Sequence, residues 1–108
     1  MFDFNAFISA LEDGIKKLAS ETLGGHKDVA ISDSEEFLEE TKTDLKKWTE
    51  ELAGGELSQN DFKFLVAGKK DLAELHGLKL AGLTLVKIES FKNGVIDIIV
   101  KAAFNAIP

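Results

Sequence analysis

Residues 83–101, LTLVKIESFKNGVIDIIVK, decide the fold of this chain. They carry two readings. Asn93-Gly94 between the apolar runs Leu83–Phe91 and Val95–Lys101 is the strongest short-range signal for a β-hairpin. The same residues also continue a helical stripe. Leu78, Ala81, Leu85, Ile88, Val95, Ile99, Ala102 and Ala106 are spaced by threes, fours and one seven, with Phe91 and Lys92 straddling the position between Ile88 and Val95. The context favours the helix. Asp71–Leu75 and Ala102–Ile107 are helical in composition, and Ile98-Ile99-Val100 breaks the alternation that a half-buried strand needs. A lone hairpin would also lack a third strand to support it. The chain is therefore expected to be all-α.

Working outward toward the N-terminus, Phe4, Ile8, Leu11, Ile15, Leu18 and Thr22 form one stripe of an amphipathic helix, with Asp3 or Asn5 as its cap. Gly14 inside it costs about 1 kcal/mol against Ala, and Gly24-Gly25 supplies a left-handed stop. Residues 26–31 read as a connector. Ser32-Asp33-Ser34-Glu35 matches a capping box, in which the Ser32 hydroxyl accepts from the Glu35 amide while the Glu35 carboxylate reaches back. A second stripe follows at Leu38, Thr41, Leu45, Trp48 and Leu52, ended by Gly54-Gly55. Two helices with a short connector predict an antiparallel hairpin. Ser58-Gln59-Asn60-Asp61 starts a third helix with Phe62, Leu65 and Val66 as its apolar face, which Gly68 either ends or interrupts. From Lys69 the helical pattern runs on to Ile107.

The C-terminal segment is apolar around most of its circumference. From Val95 to Ile107 only Asp97, Lys101 and Asn105 are polar, and they form a single narrow stripe. Such a helix is covered on several sides. It is a central core helix, a subunit interface, or an apolar surface for lipid or a ligand, in that order of preference.

Composition bounds the function. The 108 residues fit one helical domain, residues 1–108. The chain has no Cys, which removes disulfides, thiolate metal sites and thiol nucleophiles. All 13 basic residues are Lys. Without Arg there is no planar fork to read guanine or clamp phosphate. Net charge is −6: residues 1–60 carry 14 acids and 6 Lys, and residues 61–108 carry 5 acids and 7 Lys. No basic run exceeds a Lys pair, so nucleic acid is not an expected partner.

Residues that would carry chemistry are sparse. Glu35, Glu36, Glu39, Glu40 and Asp44 read as a solvated helix face rather than a cation site. His26 and His76 have no second His within helical reach, and the Glu-x-x-His pattern of di-iron bundles is absent, since Leu23 and Ala73 stand three residues before them. No catalytic residue, metal ligand or cofactor is expected. Asp3 stands where a basic leader segment would begin, Glu12-Asp13 interrupt any apolar leader core, and the charge-free run Leu80–Val86 is too short to span a bilayer. The expectation is therefore a cytoplasmic, non-catalytic structural or protein-interaction module, an all-α bundle that forms a homo-oligomer through its C-terminal helix. Val95, Ile96, Ile99, Val100, Phe104 and Ile107 are the interface candidates. The alternative is a membrane-surface or apolar-ligand binder that uses the same helix.

Overall fold

The N-terminal stripe does form a helix, α1, over Phe4–Thr22, and Asp3 is its cap: the Ala6 amide donates to Asp3 Oδ1 at 3.2 Å. The computed structural model describes residues 3–72 and 81–106. In it the buried face of α1 is Phe7, Leu11, Ile15 and Ala19, continued by Leu23. The row expected from spacing is displaced: Leu11 and Ile15 are buried, Phe4, Ile8 and Leu18 are half-buried, and Thr22 is exposed. The reason is that α1 packs on two neighbours, α2 and α4, so it buries a wide arc, and the four-residue row Phe7, Leu11, Ile15, Ala19 crosses the expected row at Leu11 and Ile15.

After Gly24, which takes φ +47°, a short 3-10 turn spans Gly24–His26 and α2 follows at once over Lys27–Ala53. The expected connector at 26–31 and the helix start at Ser32 are thus corrected. Ala30 is fully buried and Val29 and Ile31 are half-buried, so packing carries the helix more than a turn and a half N-terminal of its local start signal. The 27 residues of α2 span about 40 Å at ~1.5 Å per residue. Its core row is Ala30, Ser34, Phe37, Leu38, Thr41, Leu45 and Thr49. The hydroxyls of Ser34, Thr41 and Thr49 donate to the carbonyls of Ala30, Phe37 and Leu45, so these polar groups are buried with their bonds made inside their own helix. Trp48, expected in the core, is half-buried, and Thr49 takes the inward position beside it. The end at Gly54-Gly55 is as expected: Gly55 has φ +79°, and the carbonyls of Glu50 and Glu51 accept from the Gly54 and Glu56 amides.

Helix α3 spans Gln59–Leu72. Ser58 caps it, its Oγ accepting from the Asp61 amide at 3.1 Å, and Gly68 lies within the helix without ending it. The continuous pattern expected from Lys69 to Ile107 is broken. The chain turns at Ala81-Gly82, where Gly82 takes φ +85°, and the last helix, α4, runs over Leu85–Ala106 with the Lys87 amide donating to Thr84 Oγ1. Leu78 lies outside the described residues.

α4 passes straight through Asn93-Gly94, and the described residues contain no strand. The hairpin reading fails because Gly94 serves a close approach rather than a turn. A Cβ on Gly94 would stand 2.7 Å from Leu18 Cδ2, and one on Gly14 would stand 3.0 Å from Ile98 Cγ2. Positions 14 and 18 on α1 thus meet 98 and 94 on α4, which sets the two helices antiparallel. Each helix packs on two others in a closed cycle, α1 on α2 and α4, α3 on α2 and α4. The described residues form an all-α bundle, with α1 and α2 as its antiparallel N-terminal hairpin. The apolar circumference of α4 is accounted for by its place between α1 and α3, where Ile88, Phe91, Val95, Ile96, Ile99 and Ala103 are buried.

Candidate interaction surface

The six residues expected to face a partner lie as follows. Val95, Ile96 and Ile99 are 4, 7 and 0% exposed, covered within the chain itself. Val100 and Phe104 are half-buried, and the Phe104 ring sits 6.4 Å from that of Phe62 on α3. Ile107 lies outside the described residues. Five of the six are thus wholly or partly used in the chain's own packing, and the apolar surface left over lies elsewhere.

That surface is at the start of α4. Among the described residues the large apolar side chains left exposed are Phe64 on α3, at 79%, and Leu85 and Val86 on the first turn of α4, at 71 and 79%. Leu85 precedes Ile88 by three residues, so both project from one helix face. Ile88 is 2% exposed while Leu85 is open, which means that the apolar stripe of α4 runs one turn beyond the core that covers it. Leu85 and Val86 border a shallow, open depression with Glu89, Ser90 and Asn93. Glu89 also lies 3.7 Å from the ammonium of Lys92, a residue that the helix holds almost fully buried. The sequence stripe contained Leu85 but could not distinguish a covered turn from an uncovered one.

A second groove follows the seam between α1 and α2. Its floor is Ile8 and Leu38, and Glu12, Glu35, Glu39 and Lys42 stand around it. The carboxylates along it do not converge: no group of three or more His, Asp or Glu among the described residues is placed to hold a metal ion. His26 is exposed on the 3-10 turn, and His76 lies outside the described residues. No helix among the described residues is long and apolar enough to cross a membrane.

Comparison with protein-family models, curated proteins and solved structures finds no match.

Proposed function

We propose that this chain is a non-catalytic interaction module that self-associates through its C-terminal helix, with Leu85 and Val86 as the contact. The observation that carries this reading is the uncovered first turn of α4. Two adjacent apolar side chains stand open there, Leu85 in line with a stripe that is otherwise buried and Val86 beside it on the exposed face that carries Glu89, Ser90 and Asn93. Removing them from water favours association, since each fully buried aliphatic side chain contributes about 1.5–3 kcal/mol. The expected partner is a second copy rather than a nucleic acid, and the cytoplasm is the compartment carried along with this proposal. The membrane-surface alternative uses the same place, with Lys87 following the apolar pair as a headgroup contact.

The test is solution mass against concentration for the wild type and for the double variant L85D/V86D. Both positions are exposed, so the variant keeps its fold. The expected result is a mass that rises above 11.8 kDa with concentration in the wild type and remains at 11.8 kDa in the variant. A wild type that is monomeric throughout overturns the proposal. If that monomer also sediments with anionic vesicles, and the double variant does not, the membrane-surface reading replaces it.

A further inference from the structure

We infer that α2 has two starts, and that its first residues, 27–31, form a releasable strap between α1 and the rest of the helix. The helix begins at Lys27, yet no side chain caps that beginning: His26 stands at the cap position and its ring makes no bond to the amides there. The turn before it is glycine-rich, with Gly24 at φ +47° and nothing packed near either Gly24 or Gly25. More than a turn and a half further on, inside the continuous helix, lies a complete start signal. Ser32 and Glu35 are the first and last residues of a capping box, and both are exposed. A helix that starts at Asp33 gains the cap that the longer helix lacks.

Two states therefore compete. In the long helix, Ala30 is buried, Val29 and Ile31 are half-buried, and the Ser34 hydroxyl donates to the Ala30 carbonyl. In the short helix those contacts are lost, but Ser32 caps the new end and residues 27–31 regain chain freedom. The long helix is the one in the structure. Release lengthens the α1–α2 connection to include residues 27–31. It also removes Ile31 from the seam between the helices, where it stands beside Ile15 and Leu38. The strap is thus the point at which the N-terminal hairpin loosens without loss of the core at Phe37, Leu38 and Leu45.

Amide hydrogen exchange on the full chain tests this with two variants of matched helix propensity and opposite capping strength. Asn caps as well as Ser, Val does not cap, and all three are alike inside a helix. Position 32 is exposed, so neither variant disturbs the core. The readout is exchange at Ala30 and Ile31, whose intrinsic rates do not depend on residue 32, against Leu45 as the core reference. The expected result is that S32V slows exchange at Ala30 and Ile31 about fivefold, the ratio a side-chain cap is worth, while S32N matches the wild type and Leu45 is unchanged in both. If S32V is no slower than S32N, or if it slows Leu45 to the same extent, the second start does not exist.

Discussion

Leu18 of α1 lies against the backbone of α4 at Gly94, so closely that a Cβ at 94 would come within 2.7 Å of Leu18 Cδ2 and 3.3 Å of Cδ1. A glycine in mid-helix ordinarily costs about 1 kcal/mol against Ala, and here that cost is set against a closer crossing of α1 and α4. G94A is therefore expected to destabilise the fold by about 1 kcal/mol, because overpacking of roughly 1–3 kcal/mol exceeds the gain in helix propensity. In an L18A background the Leu18 atoms that the new Cβ would meet are gone, and the same change is expected to stabilise. Urea unfolding of the four chains in a double-mutant cycle checks this, and additivity would refute the contact.

Gly68 is the counter-case. It too lies inside a helix, but nothing approaches within 4 Å of where its Cβ would be, and its backbone is not in the left-handed region. G68A is expected to raise stability by about 0.5–1 kcal/mol, with an unchanged circular dichroism spectrum. A loss of stability would mean that α3 does not continue through residue 68 in solution.

The two glycines show what the sequence makes legible and what it hides. Three-and-four spacing is enough to identify an all-α chain, the cap at Ser58 and the stop at Gly54-Gly55, because these depend on residues within one turn of each other. Whether Asn93-Gly94 is a hairpin turn depends on Leu18, 76 positions away, and no local pattern contains that information. The start of α2 is misplaced for the same reason: a correct local signal at Ser32 is outweighed by burial of Ala30. The candidate surface was only partly visible. Periodicity identifies α4 as apolar on most sides, but it cannot say which turns its neighbours cover. Val95, Ile96 and Ile99 accordingly read as interface candidates and are buried within the chain, whereas Leu85, on the same stripe as Val95 and Ile99, lies open.

That reversal is measurable. Ile99 is 0% exposed within a single chain, so I99A is expected to cost 2–5 kcal/mol through lost transfer energy and a residual cavity. The loss should be independent of protein concentration. V86D, at a position 79% exposed, is expected to leave the stability of the monomer within about 0.5 kcal/mol of the wild type. Thermal unfolding at two concentrations a hundredfold apart separates the cases. A small effect of I99A at low concentration, growing at high concentration, would move Ile99 from the core of the chain to an interface between chains.

The serines at positions 58 and 32 have the same place in similar sequence motifs and different places in the fold. Ser58 Oγ accepts from the Asp61 amide, a bond that satisfies one of the orphan donors at the start of α3. S58A is expected to cost about 1 kcal/mol, within the 0.5–2 kcal/mol range for loss of a cap. Ser32 lies within α2, where the amides around it are paired along the helix, so S32A removes no bond that the folded chain relies on and substitutes the best helix former. Its expected effect on global stability is neutral to stabilising by about 0.5 kcal/mol. The comparison is made by chemical unfolding of both variants under one set of conditions. If S32A were as costly as S58A, α2 would begin at Ser32 in solution, and residues 27–31 would be the connector that the local sequence describes.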